Sequence, residues 1–202
     1  MLTLRFLYKR KNMKTIRLYH TGFWIIEKPD LKIGRKNADF GQGFYLSDDA
    51  EFSRRWARQR KDMTTYLNEF ELDLDGLNYR RFSRDSEWLD YILGNRNGQP
   101  DPLADLDVII GPIANDTIYE TMGIITSGVL QKDQALELLK IGKTYEQTVI
   151  KMEKGLSSLR FIKADIITPQ ESKTYLEMLH QEEQRFQETF ARRLEEKLET
   201  EE

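Results

Sequence analysis

The chain contains no cysteine, only two histidines among its 202 residues, and no long apolar run. The absence of cysteine excludes disulfides, a thiolate nucleophile and zinc–thiolate sites, and it is compatible with a reducing cytoplasm. No apolar run approaches membrane-spanning length, so we expect a cytoplasmic protein without a membrane partner. Basic and acidic residues nearly balance at a net charge of −3, so no overall charge field predicts binding to nucleic acid.

The length suggests one domain plus an appendage, and 39% apolar with 32% charged residues is typical of a globular chain. Near the N-terminus the basic residues follow a short apolar run, which is the reverse of a signal peptide. Met13 can serve as an alternative start. We therefore predict an N-terminal extension over 1–12, a domain over 13–169 and a charged C-terminal helix over 170–202.

Strand-forming and helix-forming segments alternate irregularly along the chain. The predicted strands are 16–20, 44–47, 64–72, 107–111, 145–152 and 161–167. The predicted helices are one that starts after Ser47 or Asp48 as N-cap, then 86–93, 117–126, 132–141 and 153–160. Because the order lacks a βαβ rhythm, it favours a mixed α+β domain over a doubly wound one.

The first of these helices should carry an apolar face and a basic side. Phe52, Trp56 and Gln59 are expected to share the apolar face. The basic side comprises Arg54, Arg55, Arg58, Arg60 and the following Lys61. It is interpreted either as a solvated face or as a contact for phosphate groups of a ligand or a nucleic acid.

The tail from 171 to 202 has neither glycine nor proline. Its apolar residues recur at steps of four or eight, which predicts one stripe along a long helix: Met178, Phe186, Phe190, Leu194 and Leu198. The stripe packs on the chain's own domain, on a second copy or on a partner such as an antitoxin.

The most distinctive stretch runs from Asp39 to Ser47 and reads DFGQGFYLS. Gly41 and Gly43 permit close backbone approach, and the aromatic residues after them predict the start of a buried strand. Two interpretations remain open. The stretch is a tight turn that leads into a core strand, or it places the ring of Tyr45 beneath a flat ligand.

Several features together resemble the NAD-binding signature of ADP-ribosyltransferases, in the His-Tyr-Glu branch of diphtheria toxin and the poly(ADP-ribose) polymerases. They are His20 at the end of the first strand, the Gly-x-Gly-Phe-Tyr run at 41–45, and a following helix with Ser53 and Trp56. The strings at 18–22 and 107–116 also resemble a largely uncharacterised bacterial family of that fold. The resemblance covers roughly 14–168 and implies mixed sheets with flanking helices.

The resemblance implies a role for each matched residue. His20 would bond a ribose hydroxyl of NAD, and the backbone of Thr21 and Gly22 would pair with the nicotinamide amide. The polymerases have glycine directly after the histidine, where this chain has Thr21. Tyr45 would stack on the nicotinamide ring, with Gly43 allowing close approach.

Two residues of the first helix would complete the nicotinamide site. Ser53 would bond the nicotinamide amide, and Trp56 would close the ring sandwich. An alternative for Trp56 is a core anchor of the helix.

The third triad member belongs on a late strand, where Glu146 and Gln147 stand. By analogy Gln147 is the better match. Adjacent strand residues face opposite sides, so only one of the two points into the site. An inward Glu146 leaves the triad intact. An inward Gln147 can orient a ribose hydroxyl but cannot act as a base.

The resemblance implies that NAD is a substrate and that ADP-ribose passes to an unknown macromolecular acceptor, protein or nucleic acid, unless NAD is hydrolysed. Small bacterial relatives act as toxins or in defence and toxin–antitoxin systems. The alternative is a non-catalytic interaction module that keeps the fold with Gln147 in place of the glutamate. No cluster has metal-ligand spacing, and Asn115-Asp116 is interpreted as a helix cap.

Overall fold

The computed structural model describes residues 15–114 and 131–199, and one sheet of seven strands organises them. In chain order the strands are β1 (Thr15–Gly22), β2 (Phe44–Ser47), β3 (Thr65–Asp73), β4 (Tyr79–Arg81), β5 (Val108–Pro112), β6 (Glu146–Ile150) and β7 (Leu159–Ile167). Their spatial order is β4-β5-β6-β2-β1-β3-β7. The β4–β5 pair is parallel, and the other neighbours are antiparallel.

Helices pack around this sheet. They are α1 (Ala50–Arg55), α2 (Ser86–Arg96), α3 (Lys132–Leu139), α4 (Glu153–Ser157) and α5 (Pro169–Glu199), with a short 3-10 helix at Leu31–Ile33. The predicted α+β class and the predicted long C-terminal helix are confirmed. Among residues 15–114 and 131–199, no helix combines the length and the apolarity that crossing a membrane requires.

Strand β5 is buried along its whole length because apolar clusters cover both faces of the sheet. Ile109 faces one cluster, which includes Trp88 of α2 and the inner residues of α3 and α5. Val108 and Ile110 face the other cluster, built largely from β1, β2 and β3. A continuous apolar run is what a strand buried on both faces requires, so the prediction of an interior strand here is confirmed.

Helix α5 packs on its own domain through part of the predicted stripe. Phe186 and Phe190 are buried in the first cluster, and Leu194 packs against it. Met178 is 37% exposed, and the side chain of Leu198 lies outside the described part of the chain. The predicted extension 1–12 and the predicted helix 117–126 also lie outside the described residues.

Helix α1 differs from the prediction at both ends. Its N-cap is Asp49, whose carboxylate accepts from the Phe52 N–H at 2.9 Å, so Ser47 and Asp48 were wrong as caps. The helix ends at Arg55, so Gln59 does not share its apolar face. Arg55 is buried, so the predicted basic side is wrong at that residue.

Other elements also differ from the prediction. Helix α2 continues through Gly94-Asn95 because the buried Asn95 amide donates to the Asp39 carbonyl at 3.1 Å. Helix α4 ends at Ser157, since β7 begins at Leu159 to pair with β3. Strand β4 was not predicted, because a three-residue strand with two arginines carries no apolar pattern.

Candidate functional site

A cavity of about 390 Å³ opens where β1, β2, β6 and α1 meet. We call it the cleft. It is within the size range of small-molecule sites. The predicted site residues that line it are His20, Thr21, Tyr45, Ser53, Trp56 and Gln147. The fold therefore brings most of the predicted residues together around one cavity.

His20 enters the cleft as a neutral ring with a fixed tautomer. Its Nδ1 lies 2.8 Å from the Tyr45 carbonyl oxygen. Because a carbonyl only accepts, Nδ1 carries the proton and Nε2 keeps a lone pair. Burial lowers the pKa of His20 below its ordinary 6.5, against the opposing effect of this hydrogen bond. Nε2 is therefore a hydrogen-bond acceptor at neutral pH.

Tyr45 is anchored at its tip, which leaves the ring to line the cleft. Its hydroxyl accepts from the Phe40 N–H at 2.9 Å and donates to the Gly41 carbonyl at 2.7 Å. Gly41 has a φ of 73°, which favours glycine in this turn. Burial raises the pKa of Tyr45, so the phenol stays protonated and the anchor persists over the physiological pH range.

The register of β2 and β6 decides which of Glu146 and Gln147 faces the cleft. Ser47 pairs with Gln147, and Tyr45 pairs with Val149. Directly paired residues lie on the same face of a sheet, so Gln147 shares the face of Tyr45. Gln147 is only 7% exposed, and its buried Nε2 makes no hydrogen bond within the described residues.

Glu146 points away from the cleft. Both of its carboxylate oxygens accept from Nη1 of Arg81 on β4, at 2.7 and 2.6 Å. The interpretation with an inward Glu146 and an intact triad is therefore wrong. Of the two candidates, the one that lines the cleft is Gln147, whose side chain is an amide.

Helix α1 supplies the wall opposite the strands. The Thr21 hydroxyl donates to the Ser53 carbonyl at 2.6 Å, which ties α1 to the end of β1. Trp56 is 39% exposed, and its ring meets Phe52 edge-on at 5.9 Å. Trp56 therefore lies at the mouth of the cleft and is not a buried core anchor.

Two predicted glycines do not line the cleft among the described residues. Gly22 pairs with Tyr66 of β3 at the end of β1. A Cβ atom on Gly43 would lie 2.5 Å from the Ile150 carbonyl oxygen, so glycine there lets β2 approach β6. In this structure Gly43 has a packing role.

Arg35, for which no role was predicted from the sequence, also lines the cleft. Arg35 is exposed and makes no ion pair or hydrogen bond with the described residues. The sequence feature that could have indicated Arg35 is the glycine before it. A Cβ on Gly34 would lie 2.2 Å from the Gly43 carbonyl oxygen, so this position requires glycine. That close packing brings Arg35 beside the Gly-x-Gly turn. Asp39 also lines the cleft, but it is paired with Arg96 at 2.8 Å.

The predicted basic side of α1 contributes little to the cleft. Arg55 turns inward to pair with Glu182 of α5, and Arg54 lies 3.9 Å from Glu171. The guanidinium of Arg58 sits over the Trp56 ring at 5.9 Å, at the edge of the cleft. Within the described residues, Arg35 is therefore the arginine whose side chain lines the cleft, in place of this cluster.

Metal binding finds no support within residues 15–114 and 131–199. No group of three or more His, Asp or Glu side chains there is arranged to hold an ion. The Asn115-Asp116 pair, which was predicted to cap a helix, lies outside the described residues.

Comparison with known proteins identifies the family of this chain. No curated protein and no solved structure matches the chain. A family model described as "Protein of unknown function (DUF3990)" matches residues 16–161, a span that includes His20, Tyr45 and Gln147. The prediction of an uncharacterised family is thereby confirmed, and the chain belongs to the DUF3990 family.

Proposed function

We propose that the cleft binds NAD and that the protein is an ADP-ribosyltransferase-like enzyme, which transfers ADP-ribose to a macromolecular acceptor. The observation that carries this proposal is that His20, Tyr45 and Gln147 line one cavity, while the buried Nε2 of Gln147 makes no hydrogen bond with the described residues. A buried N–H without a partner costs about 1–3 kcal/mol. A ligand oxygen at this position removes that penalty.

The polar groups of the cleft complement a nicotinamide dinucleotide. Nε2 of His20 accepts and Nε2 of Gln147 donates, and a ribose hydroxyl can do both in return. The anchored ring of Tyr45 offers a flat face for nicotinamide. Arg35 supplies a positive charge for the phosphates.

NAD supplies a glycosidic bond that breaks with nicotinamide as the leaving group. Within the chain, His20 and Gln147 orient the ribose, while Tyr45 and Trp56 hold the leaving ring. The contribution of these residues is mainly positioning. Because Gln147 is not a base, it cannot take a proton from the acceptor. We expect slow transfer unless the acceptor or another group removes that proton.

A second candidate function follows from Gln147 itself. With an amide in place of the carboxylate, the cleft can bind NAD without breaking it, and the protein then acts as an interaction module. Both candidates share the binding step. They differ in whether nicotinamide is released.

Calorimetric titration of NAD tests the binding step. We expect the wild-type protein to bind and the His20→Ala/Tyr45→Ala double variant to lose at least tenfold in affinity. Glu146→Gln is the matched control, because Glu146 pairs with Arg81 outside the cleft. Absence of wild-type binding at protein concentrations that would reveal millimolar affinity would reject the proposal.

Nicotinamide release separates the two candidates. We expect slow release by the wild type, labelling of an acceptor from tagged NAD, and at least about tenfold faster release by Gln147→Glu, since a positioned carboxylate typically contributes 10²–10⁴-fold. If the wild type releases nothing while Gln147→Glu does, the protein is the non-catalytic module. If neither variant releases nicotinamide although both bind NAD, the transferase proposal fails.

A further inference from the structure

A buried ion pair lies directly behind the turn that anchors Tyr45. Lys151 follows β6, and its side chain is only 3% exposed. Its ammonium pairs with Asp101 and also donates to the Phe40 carbonyl at 2.8 Å. Burying an ammonium is unfavourable unless its protons are used in hydrogen bonds. The two contacts of Lys151 therefore stabilise its buried charge.

The contacts of Phe40 connect this pair to the cleft. The Phe40 carbonyl accepts from Lys151, and the Phe40 N–H donates to the Tyr45 hydroxyl at 2.9 Å. The same hydroxyl donates to the Gly41 carbonyl at 2.7 Å. Lys151 and Tyr45 thus bind the same short turn through adjacent peptide groups. A displacement of the turn at Lys151 would move the anchor of the Tyr45 ring.

The other half of the ion pair is itself fixed. Asp101 Oδ1 accepts from the Tyr91 hydroxyl and from the Leu103 N–H, both at 2.9 Å. Tyr91 belongs to α2, which packs in the core. The charge that holds Lys151 is therefore tied to the rigid body of the domain and not to the turn alone.

We propose that Lys151 is a positioning residue, which holds the Tyr45 ring at the cleft through the Phe40–Gly41 turn. For its ligand readout this inference rests on the proposed function. The geometry of the turn does not depend on that function, so a ligand-free measurement tests the inference separately.

NMR of the protein with ¹³Cζ-labelled tyrosine provides that measurement. The Tyr45 resonance is assigned by its loss in Tyr45→Phe. We expect Lys151→Met to shift or broaden it, because the hydroxyl loses its fixed partners. Lys154→Met is the matched control, since Lys154 is more than half exposed and contacts Gly76 and Asp107 instead. An unchanged Tyr45 resonance in folded Lys151→Met would overturn the inference.

Affinity for two ligands provides the functional measurement. ADP-ribose lacks nicotinamide, so its binding does not need the Tyr45 ring. We expect Lys151→Met to weaken NAD binding about tenfold while ADP-ribose affinity changes less than twofold. In a Tyr45→Phe background the same substitution should have little further effect on NAD, because the two residues act through one turn. An equal tenfold loss in that background would contradict the inference.

The role of Lys151 can still be tested if the single variant does not fold or if the wild type binds no ligand. If Lys151→Met does not fold, Lys151→Met/Asp101→Leu replaces it, because removing both charges of a buried pair is often tolerated. If the wild type binds neither NAD nor ADP-ribose, the proposed function fails, and the Tyr45 resonance alone still decides the role of Lys151.

Discussion

His20 links the stability of the domain to pH. Burial lowers its pKa below 6.5, and the hydrogen bond to the Tyr45 carbonyl only partly opposes this. Between the folded and unfolded pKa values the unfolded chain binds more protons. The free energy of unfolding is therefore fully retained above about pH 6.5 and falls as the pH decreases towards the folded pKa.

We predict that denaturant unfolding from pH 7.5 downwards shows this loss and that His20→Asn flattens it, because asparagine does not titrate. The matched control is His180→Asn, since His180 is the other histidine and is exposed on α5. That variant should keep the wild-type slope. A wild-type slope in His20→Asn would contradict the assignment.

Gly43 tests the packing of β2 on β6. In Gly43→Ala the new methyl would lie 2.5 Å from the Ile150 carbonyl oxygen and 2.7 Å from Val149 Cγ1. We predict a loss of about 1–3 kcal/mol or more in the free energy of unfolding, because a backbone atom cannot move aside cheaply. Urea titration measures it.

The comparison variant is Gly76→Ala. No atom lies within 4 Å of its added methyl, so only its φ of 74° opposes the substitution, at roughly 1–2 kcal/mol. Gly43→Ala proving no more destabilising than Gly76→Ala would show that the strands adjust freely.

Gln147 illustrates how far the orientation of single residues could be predicted from the sequence. The alternation of side chains along a strand required Glu146 and Gln147 to face opposite sides, and this holds. Which residue faces inward depends on Arg81, whose guanidinium takes the Glu146 carboxylate. Arg81 belongs to a strand too short to show a pattern, so the residue pattern alone left the choice open, although the resemblance made Gln147 the better match. The cavity-lining position of Arg35 likewise depends on the packing of Gly34 on Gly43, which the residue pattern does not show.

At the scale of elements, a buried polar network joins α5 to α1. Arg55 of α1 pairs with Glu182 of α5 and donates to the Tyr145 hydroxyl at 3.0 Å. The Tyr145 ring stacks on Phe52 at 4.0 Å. Helix α1 also carries Ser53 and Trp56, so the C-terminal helix supports one wall of the cleft.

We predict that Glu182→Ala lowers the free energy of unfolding by about 1–3 kcal/mol, because it leaves the buried Arg55 guanidinium with fewer partners. Glu177→Ala is the matched control on the same helix. Its pair with Lys173 is exposed and 4.0 Å long, so we expect a change within about 0.5 kcal/mol. Equal effects of the two substitutions in urea titrations would contradict a supporting role for the network.

Elements with a strong apolar pattern were the ones that the sequence predicted well. The continuous apolar run of β5 reflects its burial on both faces, and the apolar stripe of α5 reflects the burial of one side of that helix. Both patterns can be read directly from the order of residues. Helix α1 was predicted too long because its arginines suggested a solvated face. Arg55 instead pairs with Glu182, a partner that lies far away in the sequence.

At the scale of the whole molecule, the position of α5 bears on self-association. Phe186 and Phe190 are each 4% exposed, so the apolar stripe is largely used within one chain. We predict that the full chain sediments as a monomer. A dimer through this stripe would require α5 to leave its domain, and a concentration-dependent dimer would contradict the prediction.

A chain shortened to end at Thr168 tests whether α5 is needed to cover the core of its own domain. It would expose the core surface that Phe186 and Phe190 cover, so we expect a lower midpoint of thermal unfolding and a tendency to aggregate. A shortened chain as stable as the full one would show that α5 is dispensable for the fold.

The sheet order has a consequence for how the protein is made. Strand β2 pairs with β1, but its other neighbour is β6, which is synthesised much later. Contacts between distant parts of a chain form late, and here they cannot form before the ribosome has released β6. His20 and Tyr45 are therefore made long before Gln147, and the three residues can line one cavity only after β6 has been synthesised. A nascent chain that stops before β6 therefore cannot form the cleft, because one of its walls has not yet been made.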